Sequence, residues 1–307
     1  MIQTRNTRGF WPYLALAAGV VCIAWSAIFV RWTNMPGPAS ALYRMLIPAI
    51  VLLPTWFLGP AQTRLGWKTL AMIAAGGLFF ALDLAFYNTS VLRTSAANAT
   101  VFGNNSPIVV GLFTWIFFRR RPPVVFWLGL VLAIAGSLII VWADLRHSAS
   151  FGSGDLMATV AGACFAVYLM ATERVRTTTS TLAFLRLAIL STALFLLLID
   201  LGLGISLAVP RGPSWAALIG LGLISQLGGY LALTYALGHL PATATSISLL
   251  AQVPLTAILA AILLAEPVST AQILGGALVL VGVVLANRQG RSGEEVNVTL
   301  RKAVGQE

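Results

Sequence analysis

Charge is scarce in this sequence. Only 9% of its 307 residues are Asp, Glu, Lys or Arg, where a water-soluble domain carries about a quarter. So few charges cannot coat the surface of a soluble fold of this size. Acidic residues are the scarcest, 9 against 19 basic ones, for a net charge of +10. The excess does not describe a nucleic-acid surface, because the cations sit at the ends of apolar runs and not on one face. Two cysteines, Cys22 and Cys164, both lie inside apolar runs, which excludes a disulfide framework and suggests no metal site. Two histidines, His147 and His239, fall in predicted loops on opposite sides, so no imidazole base stands at membrane depth. The sequence has no P-loop, so a nucleotide-driven pump would need a separate subunit. It also lacks the His-Glu-x-x-His helix and the Gly-x-Ser-x-Gly elbow. These absences argue against an enzyme and against any cofactor.

Apolar sequence is abundant: 58% of residues are hydrophobic and the mean hydropathy is +0.89. A spanning helix needs about 20 mostly apolar residues. Ten such runs are predicted, at 11–31, 38–58, 68–92, 95–118, 123–142, 154–174, 180–203, 213–237, 241–264 and 268–287. The first ends in Arg31 and Trp32 without a small-residue cleavage site, so it reads as a span and not as a signal peptide. The fold class is an all-α polytopic membrane protein whose main partner is the bilayer. One side collects Arg5, Arg8, Arg64, Lys68, Arg119, Arg120, Arg121, Arg174, Arg176, Arg288, Arg291, Arg301 and Lys302; the other collects Arg31, Arg93, Arg146 and Arg211. Thirteen cations against four predict both termini in the cytoplasm. The segment 143–153 is a polar linker near the midpoint, and 288–307 reads as a flexible tail with Gly290 and Gly293.

The halves 11–142 and 154–287 can be superimposed. Cys22 falls on Cys164, Ala41 on Ala183 and Arg44 on Arg186 at an offset of 142; Pro107 falls on Pro254 at 147; Gly129 and Gly136 fall on Gly275 and Gly282 at 146. Five helices per copy is an odd number, so the copies are inverted about an axis in the membrane plane. Two inverted five-helix repeats are the architecture of alternating access, in which swapping the conformations of the halves swaps the open side. A channel is the rival, but it should line its pore with charged rings or filter carbonyls, and nothing repeats that way.

The segment Ala265-Glu266-Pro267 leading into Gln272-Ile273-Leu274-Gly275-Gly276-Ala277, together with Pro38 to Arg44 and Pro241 to Pro254, resembles the drug/metabolite transporter superfamily of the EamA type. The likeness covers 11–287, and the exporters of aromatic and other amino acids look nearest. It implies efflux of small organic metabolites across a bacterial-type inner membrane, driven by protons or running as facilitation. One departure is plain: where the second half reads Ala265-Glu266-Pro267, the first reads Arg119-Arg120-Arg121-Pro122.

Polar groups within spans are expensive in hydrocarbon and face protein or a watery path. Asp83 is the one carboxylate deep inside a span, and it is predicted to sense a proton or a substrate amine, or else to pair with Arg44 on the second span. The fourth span carries Asn98, Asn104 and Asn105 before Pro107; the ninth carries Ser248 and Gln252 before Pro254. Each proline frees a backbone carbonyl, of Gly103 and Leu250 respectively, and a broken helix is stable in a bilayer only beside protein or water. Both helices are therefore expected to line the path, with Asn98, Asn105, Ser248 and Gln252 touching substrate or acting as interhelical glue. Gln226 and Tyr230 share a face of the eighth span. Trp25, Tyr87 and Tyr168 stand at mid-depth, either to stack on an aromatic ligand or to fill space. Arg44 and Arg186 are expected to snorkel, Arg44 alternatively pairing with Asp83. The glycine pairs mark flat stripes for helix packing or for a weak homodimer, the monomer being the alternative. The substrate expected is an amphipathic zwitterion; a cationic drug expelled by proton coupling is the competing choice.

Overall fold

The computed structural model describes residues 10–55, 65–116, 123–145, 152–210, 212–266 and 269–303. Arg5, Arg8, Arg64, Arg119, Arg120, Arg121, Pro122, Arg146, His147, Arg211 and Pro267 lie outside these residues, as does most of the linker. The side chains of 143–145 and 288–303 are outside the description too. Among the described residues the chain forms ten helical rods. These are α1 (Phe10–Thr33), α2 (Gly37–Leu52), α3 (Trp67–Val91), α4 in two pieces (Ala96–Gly103 and Ser106–Ile116), α5 (Val124–Leu145), α6 (Ser153–Arg176), α7 (Thr181–Gly202), α8 (Pro213–Leu237), α9 (Ala242–Leu264) and α10 (Thr270–Ala303). Eight of them are long and apolar enough to cross a bilayer, while α2 is shorter and α4 is broken.

Local chemistry sets the rod ends. Asn34 takes a left-handed conformation after α1, and Pro36-Gly37-Pro38 opens α2, where proline's fixed φ suits a first turn. Ser95 caps α4 by accepting from the Asn98 N–H at 3.0 Å. Asp155 accepts from the Gly152 N–H at 2.9 Å, closing the first turn of α6.

Matching helices of the two halves lie on one another: α5 runs along α10, α2 packs on α7, and α4 on α9. The contact of α3 with α6 has its counterpart in α8 with α1, and that of α3 with α7 in α8 with α2. A two-fold relation between five-helix repeats produces this pattern, and odd repeats joined by short turns make it inverted. The glycine stripes belong to this packing. A methyl on Gly136 would overlap the Gly275 carbonyl, and one on Gly129 would sit 2.6 Å from the Gly282 carbonyl. The two stripes thus meet within one chain, backbone against backbone.

Three sequence expectations need correction. The tail does not leave the helix at Arg288, because α10 continues as one helix of 34 residues to Ala303. Once a helix is nucleated, each further residue adds a hydrogen bond, and Gly290 and Gly293 cost too little, about 1 kcal/mol each, to stop it. The first span is interrupted at Trp25, between helices Phe10–Ala24 and Ser26–Thr33. The Ala24 carbonyl exposed by that break accepts from Thr256 Oγ1 of α9 at 3.1 Å. Arg44 and Arg186 do not snorkel: they are 1% and 5% exposed, folded into the protein.

Candidate functional site

The centre of the molecule is where the two broken helices meet. In α4 the first piece ends at Gly103 and the second starts at Ser106, leaving Pro107 in a first turn, where its missing N–H removes no bond. In α9 the break falls at Leu250 and Ala251, and the Val253 N–H bonds to the Leu250 carbonyl at 3.0 Å. The breaks are tied to each other, because Gln252 Nε2 donates to Asn104 Oδ1 at 2.5 Å, while Asn104 Nδ2 donates to the Thr100 carbonyl at 2.6 Å.

Beside this link lies a small cavity of about 40 Å³, lined by Ser26, Arg44, Asp83, Tyr87, Gly103, Asn104, Phe165, Tyr230 and Gln252, with Ile23, Leu84 and Leu249. It has room for about one water. A buried guanidinium needs acceptors to repay its lost hydration. Arg44 finds them on two other rods: Nε donates to Gln226 Oε1 at 2.9 Å and Nη1 to Ser26 Oγ at 2.7 Å. Its Cζ also stands 5.5 Å from the centre of the Tyr230 ring, in cation–π range. Gln226 comes from a π-helical stretch of α8, Leu221–Gly229, the kind of irregularity frequent at functional sites. Gln226 and Tyr230 therefore do share a face, and both hold Arg44.

Asp83 lines the same cavity at 7% exposure. Among the described residues no hydrogen bond and no close ion pair reaches its carboxylate, so Asp83 faces Arg44 electrostatically across the cavity and not in direct contact. Arg44 Nη2 likewise makes no hydrogen bond to a described residue. A guanidinium and a carboxyl group thus border one cavity, the first anchored by hydrogen bonds and the second without one.

Of the side chains singled out in the sequence, Asp83, Tyr87, Tyr230 and Gln252 line the cavity and Gln226 supports it. Tyr87 adds a hydrogen bond of 3.1 Å with Thr100 Oγ1. The others stand elsewhere. Trp25 stacks on Phe29 at 5.6 Å. Tyr168 is sealed in the core, stacked on Phe80 at 4.3 Å. Asn105 Nδ2 donates to the Thr159 carbonyl at 2.7 Å, joining α4 to α6, and Asn98 is buried in the first turn of α4. Ser248 accepts from Asn287 Nδ2 at 2.9 Å and borders a separate, mainly apolar groove of about 550 Å³ between α1, α9 and α10. The sequence reading missed Ser26, Phe165 and the lining role of Asn104. Ser26 follows the break in α1, and Asn104 sits in the break of α4, where helical phase no longer tells which way a side chain points.

A second polar cluster closes one end of the molecule. Arg31 donates to the Val91 carbonyl at 3.3 Å and the Thr94 carbonyl at 2.6 Å, and pairs with Glu266 at 2.7 Å. Glu266 also accepts from the Ala96 N–H, the first of α4, at 3.2 Å, and Thr94 Oγ1 donates to Asp155 at 2.9 Å.

Comparison with known proteins agrees with this architecture. A solved structure titled "Crystal structure of protein" superposes with a TM-score of 0.73 at 19% identity, covering 92% of this chain and 98% of its own, which shows the shared fold. The uncharacterized transporter YwfM of Bacillus subtilis is 30% identical over 261 residues, spanning 82% of this chain and 85% of that protein. An uncharacterized transporter of Archaeoglobus fulgidus is 28% identical over 289 residues, 91% of this chain and 99% of its own. The profile of the EamA-like transporter family matches twice, at residues 10–142 and 152–288, once for each five-helix repeat. By that double match the chain belongs to the EamA-like transporter family.

Proposed function

We propose that this transporter carries small zwitterionic metabolites, amino acids with aromatic or other apolar side chains foremost, out of the cell across a bacterial-type inner membrane, by alternating access and with both termini in the cytoplasm. The observation that carries the reading is the Arg44 guanidinium and the Asp83 carboxyl bordering one cavity without direct contact, each with hydrogen-bonding capacity to spare. An α-carboxylate accepts from Arg44, which Gln226 and Ser26 keep aimed. An α-ammonium donates to Asp83, whose carboxyl has no hydrogen-bond partner among the described residues. The apolar part of the substrate lies against Phe165, Leu84 and the Tyr230 ring. A site that places both charges rejects a molecule lacking either one, because the unmatched group is then left buried without a partner.

The cavity is far smaller than an amino acid, so loading requires the walls to part. The Asn104–Gln252 bond, which joins one helix of each repeat, is the contact that must yield. A cationic drug is the second reading. It would use Asp83, but it would also meet the like charge of Arg44 across the same cavity, and that favours the zwitterion. The test is counterflow in proteoliposomes loaded with an aromatic amino acid, challenged outside with the same compound, its decarboxylated amine or its deaminated acid. Exchange is expected with the amino acid alone. Equal exchange by the amine overturns the zwitterion reading in favour of the cation. No exchange by any amino acid overturns the substrate class.

A further inference from the structure

The Arg31 cluster is built from two kinds of contact. Arg31 belongs to α1, and the carbonyls it holds, Val91 and Thr94, end α3 in the same repeat. At the opposite end of the molecule Arg176 does the same for the second repeat. Its Nε donates to the Thr234 carbonyl of α8 at 3.1 Å, Nη2 donates to Thr181 Oγ1 at 2.6 Å, and Nη1 donates to the Thr179 carbonyl. Arg31 joins α1 to the end of α3 and Arg176 joins α6 to α8, the corresponding pair of helices, so these are analogous staples. Each fastens a repeat to itself. Glu266 and Asp155 are different: both come from the second repeat and bond the first, at Arg31, Ala96 and Thr94.

We propose that Glu266, seconded by Asp155, is the latch of a gate at this end: it clasps the repeats together here and lets go when the path opens to that side. When the repeats rock, Arg31 keeps Val91 and Thr94, which travel with it, and the bonds that must break are those of Glu266 and Asp155. The latch is one-sided by sequence, since the first repeat reads Arg120 at the position matching Glu266. The structure is asymmetric in the same sense. Beside the central break α6 meets α4 backbone to backbone, with no room for a methyl on Gly162 beside the Gly103 carbonyl. The repeat-related seam of α1 and α9 holds the 550 Å³ groove bordered by Tyr13, Leu16, Val20, Ser248 and Leu255. The latch therefore biases the resting carrier toward closure at the Glu266 end. The Arg31 and Glu266 side chains are 28% and 20% exposed, so water and salt weaken the pair enough for it to open in every cycle.

The test needs no substrate and uses the full chain in proteoliposomes. Cys22 and Cys164 are replaced by Ala, and Leu84→Cys puts one thiol at the central cavity. A membrane-impermeant thiol reagent is then added from each side in turn. Glu266→Gln is expected to raise labelling from the Glu266 side by about threefold to tenfold, the size of a half-exposed ion pair with one further hydrogen bond. Labelling from the other side should fall. Glu266→Asp, which keeps the charge, should lie between. High salt on the parent protein should imitate Glu266→Gln, an arm that no folding defect can confuse. Unchanged labelling in Glu266→Gln and in high salt overturns the latch. An equal rise from both sides overturns it too, as general loosening.

Discussion

At the residue scale, the side chain whose role most needs separating from structure is Asp83. Had it been the partner of Arg44, removing its charge would strand a buried cation. Arg44 is hydrogen-bonded by Gln226 and Ser26 and faces the Tyr230 ring, with Asp83 acting on it only across the cavity. Asp83→Asn keeps size and hydrogen-bonding capacity, so the variant should fold and express like the parent. If Asp83 also takes up the proton that drives export, reconstituted Asp83→Asn will show weakened downhill exchange, through the lost ammonium contact, and its residual efflux will no longer respond to a pH gradient. A gradient response equal to the parent's would move proton coupling elsewhere or leave plain facilitation. Arg44 itself shows what one sequence can hide. Its type and depth were legible, and snorkelling was the sensible expectation. What overrode it was the supply of acceptors from α8 and α1, which no spacing within α2 reveals.

At the scale of helices, the two broken rods are interrupted a few residues before Pro107 and Pro254, where a missing N–H and a crowded ring act locally whatever the tertiary context. Which polar groups the breaks would present was not legible. Asn98, Asn104 and Asn105 are near neighbours, and only Asn104, in the break itself, lines the cavity. A break resets helical phase, as the π stretch in α8 does, so periodicity cannot be carried across either one. Pro107→Ala and Pro254→Ala supply an N–H where none exists and favour continuous helices in place of the jointed ones. Turnover in counterflow should fall about tenfold in each, about 1.4 kcal/mol on the barrier, with folded yield unchanged. Parental turnover in both variants would show the joints to be incidental.

For the whole molecule, the bilayer made most of the architecture readable in advance. Its fixed thickness demands long apolar runs, and the absence of water forces backbone groups to bond within helices. The duplication was visible through residues that cannot be exchanged cheaply, the glycines of α5 and α10 and the prolines of α4 and α9. Those glycines are used within one chain, which withdraws the stripe as an argument for a dimer. Packing preferences were less visible: Tyr168 stacks on Phe80 in the core because the rings find each other before any ligand. The proposed orientation rests on the cation count of the sequence. Single cysteines at positions 64, 120, 174 and 301 should react with an impermeant reagent from one side only, and those at 93 and 211 from the other. Positions 120 and 174 reacting from opposite faces would undo the assignment.

The length of α10 has a mechanical consequence. Thirty-four residues of helix rise about 50 Å, while the hydrocarbon layer is about 30 Å deep, so about 20 Å of unbroken rod project beyond it. That rod is rooted in the glycine seam with α5, where the two backbones approach closely. A rigid arm pivoting there magnifies motion: from Gly282 to Ala303 the helix rises about 30 Å, so a tilt of about 10° at the root swings the tip by about 5 Å. The carrier so possesses a pointer outside the membrane, and a spin label at position 303 would read its angle without touching the transport path.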